Sequence, residues 1–386
     1  MLLCVGIAWF VMQHARQPEP PAARTPAATP AAGDARQDNS NDPGALTAEE
    51  RATAAALLPP GTALGPQDPD DGRCHRQRLE QARALRSRID PGASPEAALT
   101  HALLARMSGS ADNRWQGEAL QSLELSSAHW PDNPDLARHR YLACLAVEGC
   151  DRQAALRTLE RIDGRNAATW LLAINDAITR DDPQAARDAL ARAASADGYD
   201  SGMGAGFIAL QPALARLPLP QACLDPTAQA SLARELGRAP TQSDYASIQA
   251  MAIEMAIPMP ALGALSICRG PDSKQVAQDC LRLLAHVAGA DTFAERMVAL
   301  RMLIDLEPDA TTSAALREQY RRMLWLSENS AAAVSKIDGY LMRVWAEGEI
   351  PLLQQYAQSQ GRWPPPADWL PSDPHRRAVI LGTPRD

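Results

Sequence analysis

Two segments of this chain read almost alike 31 residues apart: Gln153 to Ile162 (QAALRTLERI) and Gln184 to Ala193 (QAARDALARA) share Gln, Ala, Ala, Leu and Arg. Each is entered through an Asp-containing turn, Asp151-Arg152 before the first and Asp182-Pro183 before the second. Upstream of each lies a further apolar stretch, Asp135 to Val147 and Asn166 to Thr179, in which Ala137 and Ala168 keep the same spacing. This pattern specifies a helix-turn-helix unit repeated along the chain. One such hairpin has too small a core to stand alone and buries its Ala and Leu face by stacking on its neighbours. Pro95 to Met107 with Arg114 to His129 makes a third, more divergent copy.

The expected fold class is all-α. Pro95 to Met107 (PEAALTHALLARM) carries Pro in the first turn after Ser94, with apolar positions at Ala98/Leu99, Ala102/Leu103 and Met107, a period near that of the α-helix. Val, Ile and Thr are nowhere clustered in alternating runs and aromatics are only 4%, which argues against strands. The repeat signal stops after Asp197, where Gly198 to Gly206 (GYDSGMGAG) follows a helix. A dinucleotide loop must follow a strand, and a nucleophile elbow needs Gly-x-Ser-x-Gly, so this loop reads as a flexible break that Pro212, Pro218 and Pro220 prolong. Further helices are expected at 226–236, 242–257, 273–287, 292–306, 311–327 and 331–347. In the fifth of these Arg317, Arg321 and Arg322 fall away from the apolar side and read as a solvated basic face. Gly361 to Pro371, with Trp363 and Trp369, reads as an extended tail whose tryptophans pin it to the body.

Over roughly Pro95 to Ala196 the chain resembles the tetratricopeptide-like (TPR-like) repeat proteins. The phrase Trp130-Pro131-Asp132-Asn133-Pro134-Asp135 resembles their inter-repeat turn, and QAALRTLERI and QAARDALARA resemble their second helices. The spacing of 31 departs from the family's repeat of about 34, and the Trp-Leu-Gly-Tyr pattern of the first helix is missing, so a generic α/α hairpin array is the alternative. The resemblance implies a right-handed α/α solenoid with a protein or peptide partner on its concave face. The organisation expected is an anchor or signal remnant at 1–12, a disordered linker at 13–72 with one helix at 47–58, a repeat region at 73–197, a break at 198–225, a second helical region at 226–360 and an extended tail at 361–386.

Compartment is read from the N-terminus and the cysteines together. Met1 to Met12 is an unbroken apolar run, yet twelve residues rise only about 18 Å as a helix against the roughly 30 Å of a bilayer core. It reads as a shortened membrane anchor or signal remnant, the alternative being a chance apolar end on a cytosolic protein. The Pro/Ala/Thr-rich stretch behind it buries too little apolar surface to order itself. Setting aside Cys4 as an ordinary apolar residue, six cysteines remain. Cys144 and Cys150 flank a turn at Gly149, and Cys268 and Cys280 flank Arg269-Gly270-Pro271, so each pair is placed to staple one helical hairpin. Cys74 and Cys223 pair by elimination, although six cysteines allow fifteen connectivities. The alternative is buried free thiols, since Cys280 shares an apolar stripe with Val276, Leu283, Leu284 and Val287. Disulfides would require an oxidising compartment, here the periplasm.

Chemistry is otherwise sparse. There is no Cys-x-x-Cys and no His-Glu-x-x-His, and the adjacent pair Cys74-His75 diverges on a helix. No catalytic, cofactor-binding or metal residue is singled out, and no cofactor is expected. A net charge of -8 offers no basic footprint for nucleic acid. Two functions are expected from these readings: a membrane-tethered periplasmic scaffold that binds a protein or peptide, or an all-α envelope enzyme whose active site meets only in three dimensions. A deep polar cleft with perturbed carboxylates or histidines favours the enzyme, and an open groove without them favours the scaffold.

Overall fold

Every hairpin of the repeat begins on a side chain that caps a helix. In the computed structural model, Asn133 accepts from the Leu136 amide, Asp151 from Ala154, Asn166 from Ala168 and Asp182 from Ala185. Each satisfies one of the amides left free at a helix N-terminus. The structure describes residues 69–108, 114–220, 223, 226–255, 263–269, 275–330 and 333–383. Among them the secondary structure is helical: α1 (Pro69–Arg86), α2 (Pro95–Ser108), α3 (Arg114–His129), α4 (Pro134–Cys144), α5 (Arg152–Asp163), α6 (Ala167–Thr179), α7 (Pro183–Ala194), α8 (Ala205–Leu214), α9 (Pro226–Leu236), α10 (Gln242–Met255), α11 (Ala277–Val287), α12 (Phe293–Leu306), α13 (Ala310–Asn329), α14 (Ala333–Lys336), α15 (Tyr340–Glu347), α16 (Glu349–Ser359) and α17 (Pro374–Leu381). A short 3-10 turn spans Leu265–Cys268, and the one β-bridge pairs Asn166 with Gly198.

The 31-residue repeat in sequence is a repeat in burial. Ala155 and Leu159 of α5 are buried, and so are Ala186 and Leu190, their counterparts on α7. From α2 to α7 each helix packs on the next, and the succession continues from α7 through α11 and α12 to α13. One core cluster joins Leu156, Leu171 and Leu190 to Leu283, Leu284 and Val287, so the core runs without interruption from the repeat into the later helices. Residues from Cys74 onward form one compact unit. Leu159 and Leu190 are fully buried, and Leu159→Ala or Leu190→Ala is expected to lower unfolding stability by about 2–5 kcal/mol through lost transfer energy and the cavity left behind, read as a shift in denaturation midpoint at unchanged slope.

Several expectations are corrected. The stretch 198–225 is not a continuous break, because it contains α8 despite Pro212 within that helix. Phe207, Leu210 and Leu214 are buried against α2 and α10, and this tertiary burial outweighs the poor local propensity. The single helix expected at 331–347 divides into α14 and α15 around Gly339, which takes the left-handed conformation at φ 63°. The tail 361–386 is not extended throughout, since Asp373 caps α17 through the amides of His375 and Arg376. Its tryptophans do pack inward: Trp363 and Trp369 lie against the cluster around Leu324 and Trp325. Arg321 leaves the solvated face assigned to it. It is 7% exposed, pairs with Glu318 and donates to the Pro366 carbonyl at 2.6 Å, clamping the tail to α13.

Among the described residues no helix is long and apolar enough to cross a membrane. The apolar run 1–12, the linker 13–68 and the helix at 47–58 lie outside the described residues. Helix α1 starts at Pro69, ahead of the linker boundary at residue 72.

Candidate functional site

The six cysteines come together in the three pairs considered from sequence. Cys144 ends α4 and meets Cys150 just before α5, with Cα atoms 5.4 Å apart. Cys268 in the 3-10 turn meets Cys280 of α11 at a Cα separation of 5.7 Å, and Cys74 of α1 meets Cys223 at 4.8 Å. The apolar-stripe reading of Cys280 holds at the same time. Its sulfur is buried beside Leu283, Leu284 and Val287, so this pair is both core and staple.

The strongest convergence of polar groups lies where the glycine-rich loop 198–206 crosses α4. Arg138 of α4 is buried and pairs with Asp163 at 2.9 Å, and Asp163 also accepts from Asn166 and Thr169. A Cβ on Gly202, whose φ is +63°, would stand 1.2 Å from the Arg138 guanidinium, so only glycine lets the loop close over this arginine. A Cβ on Gly206 would stand 2.0 Å from Glu254 Oε2. Just before these glycines the loop is tied to α6 by reciprocal hydrogen bonds of Asn166 with the Asp200 amide and carbonyl. It is tied to α12 by Tyr199, whose hydroxyl donates to Glu295 at 2.6 Å. Burial and the neighbouring Glu295 carboxylate push the Tyr199 phenol well above its ordinary range. The alternating glycines therefore answer to side chains of this protein and need no phosphate to explain them.

Next to Arg138, His139 is almost fully buried against Glu254 of α10. Its Nδ1 lies 2.9 Å from the Asp135 carbonyl, which can only accept, so Nδ1 carries a proton. Nε2 faces Glu254 Oε1 at 3.6 Å, an ionic contact beyond hydrogen-bond length. A neutral ring would turn its Nε2 lone pair toward that carboxylate. Burial disfavours the imidazolium, yet the facing Glu254 outweighs it and raises the His139 pKa above 6.5. Asp135, by contrast, is raised by burial against the pull of Arg138.

No protein-family model, curated protein or solved structure matches this chain. The site is accordingly judged on its own chemistry. A histidine, a carboxylate and an arginine within one cluster are the ingredients of acid-base catalysis, but Arg138, His139 and Glu254 are buried together beneath the loop. An apolar groove between α2, α3 and α4 reaches His139 from one side, walled by Leu99, Leu103, Leu123 and Leu142, with Arg106 also in its lining. Among the described residues no group of three His, Cys, Asp or Glu side chains is placed to hold a metal. Arg138, His139 and Glu254 were invisible as a set from sequence because Glu254 lies 115 residues beyond His139, on another helix. The available signal was the spacing of Gly202, Gly204 and Gly206, which marks close approach as readily as it marks a phosphate loop. Gly206→Ala is expected to drive Glu254 off His139 and cost about 1–3 kcal/mol, measured as a lower unfolding midpoint.

Proposed function

We propose that this chain is a scaffold: a TPR-like, right-handed α/α array, tethered through its N-terminal apolar segment with the folded body in the periplasm, that binds a protein or peptide partner. The observation that carries this reading is the succession α2/α3, α4/α5, α6/α7, in which each hairpin packs on the next and α5 and α7 bury matching small-residue positions. Three cysteine pairs at disulfide distance support an oxidising compartment. The polar convergence at His139 and Glu254 is the one observation that favours an all-α envelope enzyme. Its burial beneath the glycine loop and its role in joining α4 to α10 speak for a structural part.

Part of the first-helix side of the array is taken by the chain itself. Helices α8 and α10 lie on α2, and Glu254 of α10 meets His139 of α4, so a partner uses the surface that these insertions leave open. The test is photo-crosslinking in cells from positions on the array, since only Lys274 and Lys336 serve amine-reactive reagents. Leu125 on α3, 63% exposed, is one suitable position. A reproducible adduct with one envelope protein is the expected result; the absence of adducts at every surface position tested overturns the scaffold reading.

A further inference from the structure

A shallow pocket, partly open to solvent, lies between α1, α2, α8 and α10. Arg78 of α1 is the only charged residue among the described residues of its lining. Several other arginines of the fold have carboxylate partners, among them Arg86 with Glu118, Arg138 with Asp163, and Arg238 in a two-pronged pair with Asp244. Arg78 has none among the described residues, and its Nε is buried without a hydrogen bond. Burial lowers its pKa with no carboxylate acting against that shift. A guanidinium stays charged regardless, so a partly desolvated one without a counter-charge is an unmet electrostatic demand.

The position of Arg78 is built. Cys74, one helical turn earlier on the same face of α1, is joined to Cys223, which follows the pocket's wall at Leu217 to Pro220. Gln81, one turn later, donates from Nε2 to the Pro218 carbonyl at 2.8 Å. Clamped on both sides, α1 holds the arginine against the opening. Gln242, Tyr245 and Gln249 of α10 share the lining, and Leu214, Leu217 and Leu219 supply its aliphatic part.

We propose that this pocket binds a carboxylate carried on a short apolar body, the chemistry of the C-terminal residue of a peptide partner. The assignment rests on the scaffold reading. One planar guanidinium matches the two oxygens and single charge of a carboxylate, whereas a phosphate dianion would keep a charge that no second cation in the lining meets. The leucine wall takes the aliphatic side chain.

The test uses the full-length oxidised protein and four probes titrated separately under ligand-observed NMR: N-acetyl-leucine, N-acetyl-leucinamide, acetate and inorganic phosphate. N-acetyl-leucine is expected to bind saturably, with the amide and acetate at least tenfold weaker and the Arg78→Met variant at least tenfold weaker for the acid. Gln249→Glu, which supplies a carboxylate within the same lining, is expected to abolish binding and raise the thermal midpoint, and it serves as the second variant should Arg78→Met fail to fold. Equal binding of acid and amide, undiminished binding by either variant, tighter binding of phosphate, or no binding of N-acetyl-leucine overturns the proposal. Binding of N-acetyl-leucine together with failure of the in-cell crosslinking would support the pocket and overturn the scaffold alone.

Discussion

Replacing Cys74 and Cys223 together by serine is expected to lower the unfolding free energy by about 5 kcal/mol, the largest effect of any single pair in this fold. The bond closes 149 residues, against 12 for Cys268–Cys280 and 6 for Cys144–Cys150. If a crosslink acts mainly by restricting the unfolded chain, its effect grows with the logarithm of the loop, giving roughly 5, 3 and 2 kcal/mol in that order. Denaturant unfolding of the three double-serine variants checks the ranking. A variant lacking Cys144 and Cys150 that is less stable than the one lacking Cys74 and Cys223 would contradict it. Cys268–Cys280 has a second contribution, because both sulfurs belong to the buried core beside Leu283 and Leu284, and their serine replacements leave hydroxyls there.

The second large effect concerns the buried ion pair that joins α10 to α4. Glu254→Gln keeps the shape of the side chain but removes the charge that His139 faces at 3.6 Å, leaving a buried imidazolium uncompensated, and is expected to cost about 3–5 kcal/mol at acidic pH. The folded pKa of His139 is raised above the reference value of 6.5. Its contribution to stability is therefore fully present below pH 6.5 and disappears as the pH rises through the folded pKa. The groups that face or flank this histidine are Glu254 from α10, Arg138 and Asp135 on its own helix, and Arg106 of α2 in the same groove. The difference in unfolding free energy between the native chain and Glu254→Gln should shrink between pH 5.5 and pH 8.5. A difference that stays constant or grows across that range would show that the histidine is neutral at both ends.

Much of the helical framework was legible in the residues themselves. Asp151, Asn166, Asp182, Thr292 and Asp309 cap helices whose starts follow from the sequence, because a short oxygen-bearing side chain before an apolar period has few other uses. The cysteine pairs flanking turns were legible for a similar reason, since chain geometry brings nearby sulfurs together. Helix α8 was not, because Gly204, Gly206 and Pro212 are local breakers and only the distant surfaces of α2 and α10 make its burial favourable. Arg321 was misplaced because helical periodicity records which face a residue occupies, and the tail that covers this face lies 45 residues downstream. The pairing of His139 with Glu254 and the isolation of Arg78 are facts of tertiary packing for which no local pattern exists.

The central claim is that a repeated helical array is stapled by disulfides in an oxidising compartment, and thiol trapping measures it most directly. Cells expressing the full-length protein are lysed in an alkylating reagent, and the purified chain is digested and mapped without reduction. The account predicts three linked peptide pairs, Cys74 with Cys223, Cys144 with Cys150 and Cys268 with Cys280. Recovery of all six as alkylated free thiols would contradict both the staples and the compartment.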